Sequence, residues 1–175
     1  MSEKSKNLLL AIIPIVITGA LCSYFSRTGV SGWYSKMATS VITPPNYIFS
    51  LAWSIIYICL ILSVYRILSS SDTNKAYALR LYWQQLIIQV LWCVLFFGMQ
   101  LPLIGGVIIL WLVLTVFQMI CAFWKIDKVA AYLNIFYFCY ICFASLLNWS
   151  FLYVNNLVTT YWFYYFSLDS PKNMS

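Results

Sequence analysis

Five long apolar runs, separated by short polar or turn-forming breaks, decide most of what this chain can become. They fall at about 8–25, 46–68, 77–99, 103–124 and 129–154. A helix of about 20 apolar residues crosses the hydrocarbon core of a bilayer. Lipid offers no partner for backbone amides, so a spanning run must bond within itself. The expected fold is all-α: a polytopic membrane protein with five transmembrane helices over residues 1–154. Charge agrees. Only 8% of residues are charged and 63% are hydrophobic, where a soluble domain carries about a quarter charged. The tail, 155–175, begins aromatic and ends polar; its cluster 161–166 is too short to span and is expected in the interface.

Lys4 and Lys6 before the first run also fit a signal peptide. The run is long enough to span, however, and Leu21 before Cys22 does not suit lipoprotein cleavage. Pro14 is expected to bend this helix. A loop follows at 26–45, then a turn-rich connector at 69–74, a tight hairpin at Pro102 and a charged turn at 125–128. Five spans place the termini on opposite sides. Lys4, Lys6, Arg66, Lys75, Arg80, Lys125 and Lys128 share the N-terminal side, against Arg27, Lys36 and Lys172 on the other. The positive-inside rule then puts the N-terminus in the cytoplasm; an organellar outer membrane need not obey it. Topology and anionic headgroups account for the net charge of +6 better than nucleic acid does.

The most informative stretch runs from Trp33 to Tyr57. Pro44 and Pro45 cannot both sit inside a helix, so they end a loop and start one. From there Phe49, Trp53 and Tyr57 recur every four residues, placing three rings on one helix face. Such a stripe more often packs against neighbouring helices than lines a site. On the third helix Gln85, Gln89, Trp92 and Phe96 share a face, and on the fifth Phe136, Tyr140, Ala144 and Asn148 do. Amides at this depth usually bond a neighbouring helix. Facing aromatic walls, they would instead make an apolar pocket with a few orienting polar groups, suited to a flat hydrophobic ligand.

Other chemistry has little support. The chain has no histidine, which removes the commonest general base and metal ligand. All six cysteines lie in apolar runs, and Cys139-x-x-Cys142 has no second ligand pair and no nearby cation. They read as small hydrophobes, and no metal site or required cofactor is expected. No carboxylate sits mid-helix to relay protons or couple ions.

Trp33-Tyr34, Thr43-Pro44-Pro45, Phe49, Trp53 and Tyr57 resemble the tryptophan-rich sensory protein family, also called translocator proteins, peripheral benzodiazepine receptors or TspO/MBR. The likeness continues through Gln85, Trp92, Phe96-Phe97-Gly98, Pro102, Phe123-Trp124-Lys125, Asp127, Ala130-Ala131, Leu133, Tyr137, Phe143-Ala144 and Leu147-Asn148. The resemblance implies five membrane helices, homodimers in many members, and porphyrin or other lipophilic ligands in a pocket opening toward the first loop. Gly105 and Gly106 would permit close helix contact. The implied ligand-binding residues are Trp33, Pro44, Pro45, Phe49, Trp53, Tyr57, Gln85, Gln89, Trp92, Tyr140, Ala144 and Asn148. Trp53 matches the pocket tryptophan of the second helix. Tyr140 stands where many relatives carry a second tryptophan, and Gln89 where an asparagine is usual. Thr39-Ser40 and Ile42 depart from the usual loop, and Phe136 replaces a common proline, which predicts a straighter fifth helix.

The resemblance implies a membrane protein that binds tetrapyrroles in a sensory, regulatory or transport role, with no catalytic residues. One alternative is light-dependent breakdown of protoporphyrin, the only enzymatic candidate, with Trp53 and Tyr140 as its residues; tyrosine's smaller, less oxidisable ring weighs against that and leaves stacking. The other is a structural or assembly partner. After Tyr153 no basic residue appears before Lys172, so no motif-based sterol binding is expected. Together with the basic bias, this favours a bacterial inner membrane over a mitochondrial outer one.

Overall fold

The structure is a computed structural model, and it describes residues 2–38 and 43–156. The loop residues Thr39, Ser40 and Ile42 and the aromatic segment 161–166 lie outside the described residues. The described residues form helices α1 (Glu3–Ser31), α2 (Asn46–Leu68), α3 (Lys75–Cys93), α4 (Pro102–Ile126), α5 (Lys128–Leu133) and α6 (Ile135–Val154). Together they make five spans long and apolar enough to cross a membrane. Residues on the outer surface confirm which solvent the fold expects: Ile87, Leu114 and Leu146 are each more than 60% exposed, which only lipid makes tolerable.

Helix α1 is longer than expected. It opens on Ser2, whose side chain accepts from the Ser5 amide, and it passes through Pro14 without ending. Instead of stopping near residue 25, it runs to Ser31. There Thr28 Oγ1 donates to the Phe25 carbonyl at 2.9 Å and Ser31 Oγ to the Arg27 carbonyl at 2.7 Å. Those hydroxyls bond back to carbonyls one turn earlier, so they are satisfied within the helix without breaking it. A 3₁₀ turn, Tyr34–Lys36, follows. Helix α2 begins directly after Pro45, whose carbonyl accepts from the Ile48 amide at 3.0 Å. Its far end is closed by the Lys75 ammonium, which donates to the Leu68 and Ser70 carbonyls.

Two irregularities shape the bundle. Helix α3 loosens into a π turn over Val94–Gly98, with the Met99 amide donating to the Val94 carbonyl at 2.8 Å. Gln100 then takes a positive φ of 59° and turns the chain into α4. The second is a break in the fifth span, expected as one helix over 129–154. At Asn134 the side-chain amide, not the backbone amide, reaches the Ala130 carbonyl, at 2.7 Å. The Asn134 backbone amide donates instead to the Ala131 carbonyl at 3.0 Å. Ser63 Oγ on α2 locks the arrangement, donating to the Ala130 carbonyl at 2.8 Å and accepting from Asn134 Nδ2 at 2.6 Å. A side chain competing with its own backbone for a carbonyl is enough to separate α5 from α6, so the absence of a proline at Phe136 does not make the span continuous.

Helix α4 packs between α3 and α6, while α1 packs against α2, α3 and the π turn. Gly105 and Gly106 do give close contact, but inside the chain. A Cβ at Gly105 would lie 3.1 Å from Phe96, and one at Gly106 would lie 3.3 Å from Asn148 Nδ2. The half of the bundle around the α1 N-terminus is solid, filled by fully buried side chains such as Leu60, Tyr82, Phe123 and Tyr137. The other half is not.

Candidate ligand-binding site

That other half holds a cavity of about 820 Å³, walled by α1, α2, the end of α3 with its π turn, and α6. Helix α2 gives it two adjacent stripes. Phe49, Trp53 and Tyr57 form the aromatic one, and Asn46, Ser50 and Ser54 the polar one. The four-residue spacing that aligns the rings aligns the hydroxyls too. Across the cavity α6 presents Tyr140, Ala144 and Asn148, and α3 presents Trp92 and Cys93.

The rings form a corner. Trp53 and Tyr140 meet edge to face, with centroids 5.6 Å apart and planes at 84°, and Tyr57 lies beside Trp53 at 5.7 Å. Phe49 meets Tyr140 at 6.4 Å. The buried Tyr140 hydroxyl has no hydrogen-bond partner among the described residues. An unpartnered hydroxyl buried among aromatic rings is unusual, since buried polar atoms are generally bonded.

The remaining residues expected from the sequence divide clearly. Phe49, Trp53, Tyr57, Trp92, Tyr140, Ala144 and Asn148 reach the wall; Trp33, Pro44, Pro45, Gln85 and Gln89 do not. The two glutamines stand one layer back. Gln89 Nε2 donates to the Tyr57 hydroxyl at 2.9 Å, and Gln85 Oε1 accepts from the Tyr137 hydroxyl at 2.8 Å. They position rings instead of touching the cavity. Asn148 both lines it and ties it together: its Oδ1 accepts from Trp92 Nε1 at 3.2 Å and its Nδ2 donates to the Pro102 carbonyl at 3.0 Å. Trp33 anchors the first loop, donating to the Phe97 carbonyl at 3.1 Å, while its neighbour Tyr34 stacks on Phe151 at 4.9 Å. Pro44 and Pro45 set where α2 starts.

A whole wall escaped the sequence reading. Helix α1 lines the cavity with Gly19, Cys22, Ser23, Ser26, Arg27 and Val30. The i, i+3, i+4, i+7 recurrence of Ser23, Ser26, Arg27 and Val30 was the available signal. Part of it falls in the stretch 26–45, whose polar, glycine-containing composition reads as a loop. No group of three or more metal-ligating side chains occurs among the described residues.

Fold and site together define an integral, multi-pass membrane protein of five spans, four of which wall an aromatic cavity. The sequence comparisons give the family. The model of the TspO/MBR family matches residues 10–154. The chain is 31% identical over 149 residues to the tryptophan-rich protein TspO of Archaeoglobus fulgidus, covering 85% of this chain and 97% of that one. It is 28% identical over 161 residues to the tryptophan-rich protein TspO of Chlorobaculum tepidum, covering 89% and 99%. It is 31% identical over 136 residues to protein CrtK of Rhodobacter capsulatus, covering 74% and 84%. The chain therefore belongs to the TspO/MBR family.

Proposed function

We propose that the cavity binds a tetrapyrrole, a porphyrin or a similarly flat hydrophobic molecule, and that the chain serves a sensory, regulatory or transport role through that binding. The observation that carries this reading is the corner formed by Trp53 and Tyr140. One ring offers a face for stacking, the other an edge, and the Tyr140 hydroxyl brings a buried polar group with no partner among the described residues. The cavity's size falls within the range of small-molecule sites, about 300–1,000 Å³. The basic bias of the N-terminal side supports a cytoplasmic N-terminus in a bacterial inner membrane.

The test is a protoporphyrin titration of the purified protein in neutral detergent, read by tryptophan fluorescence in the dark and then under light. Saturable quenching is expected in the wild type. Trp53→Ala and Tyr140→Ala should each weaken it by roughly two- to tenfold, the worth of one aromatic contact. Unchanged affinity in both variants would refute the site. The direct contact of Trp53 and Tyr140 is also what a photochemical reading requires. A product that forms only with light and protein would support that reading, and identical bleaching without protein would remove it.

A further inference from the structure

We propose that Arg27 makes the mouth of this cavity a carboxylate site, so that the preferred ligand is an amphiphile with an apolar flat body and an anionic edge. This rests on the tetrapyrrole reading above and narrows it.

The argument begins with the gradient along α1. Its deep end in the cavity is Gly19, where an added Cβ would lie 3.1 Å from the Tyr57 ring. Arg27 lines the same cavity eight residues further on, about 12 Å at the helical rise of 1.5 Å per residue. Helix α2 runs antiparallel, so Arg27 stands about level with Phe49, outside the Trp53–Tyr140 corner. At and beyond this level Ser26, Ser31, Ser35, Thr43 and Asn46 continue the polar stripe of Ser50 and Ser54. A body stacked on Trp53 would therefore put its edge among hydroxyls and one guanidinium.

That guanidinium has no acidic partner in the described protein. The described acidic side chains are Glu3, Asp72 and Asp127. Glu3 starts α1, Asp72 lies between α2 and α3, and Asp127 lies between α4 and α5; all are at the opposite end of the bundle. The ion pair found among the described residues, Arg66–Asp127 at 2.8 Å, is at that end as well. A planar guanidinium recognises a carboxylate by paired, charge-assisted hydrogen bonds. At a partly exposed mouth the gain is modest but selective, because a neutral ligand cannot collect it.

The experiment compares protoporphyrin with its dimethyl ester, which keeps the macrocycle and removes both charges. Both are titrated in neutral detergent against wild type, Arg27→Gln, Arg27→Lys and Trp53→Ala. Wild type is expected to bind the diacid roughly three- to tenfold more tightly than the ester. Arg27→Gln should lower diacid affinity to the ester's level while leaving ester affinity unchanged; Arg27→Lys should keep part of the preference. Trp53→Ala should weaken both ligands alike. Equal wild-type affinity for acid and ester, or a preference that survives Arg27→Gln, would overturn the carboxylate assignment and leave the tetrapyrrole reading standing. Loss of both ligands in Arg27→Gln would overturn it too, since charge would not be what is read. Failure of either ligand to saturate wild type would overturn the tetrapyrrole reading and this inference with it.

Discussion

Gly29 offers the sharpest quantitative test of how the cavity is framed. It sits on α1 where that helix crosses the π turn. A Cβ built there would lie 2.7 Å from Phe97 Cβ, 2.9 Å from the Phe97 carbonyl oxygen and 3.0 Å from Phe97 Cα. Ordinary contacts of this kind are about 3.5–4.0 Å, so Gly29→Ala demands that two backbones part by several tenths of an ångström. Two of the three atoms belong to the main chain and cannot rotate away. Overpacking of this sort costs about 1–3 kcal/mol. Alanine's helix propensity returns up to about 1 kcal/mol. Because main-chain atoms are among those the Cβ meets, the cost falls in the upper part of the overpacking range, about 2–3 kcal/mol, and the net expectation is a loss of about 1–2 kcal/mol, or roughly 2–8 °C in the melting temperature of a chain this long. Thermal unfolding in detergent, followed by tryptophan emission, measures it. Gly19→Ala is the control. Its Cβ would meet only the outer atoms of the Tyr57 ring, at 3.1 Å and beyond, and a ring edge can give way. It should cost under about 1 kcal/mol. A melting temperature for Gly29→Ala at or above wild type, or a larger loss at Gly19 than at Gly29, would refute the reasoning.

Two further outcomes concern the end of the bundle away from the cavity. Partial burial alone would raise the Asp127 carboxyl, but hydrogen bonds from Arg66 and from the Ala130 amide, and then the Arg66 charge, hold it below the usual carboxylate range. Its stabilising contribution is therefore present above about pH 4 and is lost as pH falls through the lowered folded value. Arg66 is 46% exposed, so the pair is worth under about 1 kcal/mol. Asp127→Asn, which keeps a cap acceptor for Ala130, should melt slightly earlier than wild type at pH 7 and converge with it in acid. Asn134→Leu should cost about 1–2 kcal/mol by leaving Ser63 Oγ without its 2.6 Å donor. It should also restore the backbone bond to Ala130, visible as increased amide-exchange protection at residue 134.

Helix α2 was the most legible element. Its start follows from Pro44-Pro45, and its aromatic face follows from a spacing that any helix must obey. The C-terminal end of α1 and the break within the fifth span were not legible, for one shared reason. Thr28, Ser31 and Asn134 are polar residues that ordinarily mark a boundary. In the folded protein Thr28 and Ser31 extend a helix by bonding back to it, whereas Asn134 interrupts one. Residue type alone cannot distinguish these, because the outcome depends on a third group, such as Ser63 from another span. The same ambiguity hid the α1 wall of the cavity. The glutamines were visible as buried amides, but whether an amide touches a ligand or a tyrosine is a question of depth, and depth is set by tertiary packing. Gly105 and Gly106 announced close contact without saying whose surface would fill it.

The end of α6 also reaches across to the first loop. Asn155 Nδ2 donates to the Ala38 carbonyl at 2.9 Å and its Oδ1 accepts from the Ala38 amide at 3.1 Å, in the same loop as the cavity-lining Tyr34, Ser35 and Thr43. This clasp makes no contact with the cavity floor, so it cannot discriminate among occupants once they are seated. Two solvent-exposed hydrogen bonds are worth about 1 kcal/mol each at most, which leaves an unclasped form at a few per cent of the population. Removing the Asn155 amide should therefore loosen the first loop on the end of α6 while leaving the residues that line the cavity in place.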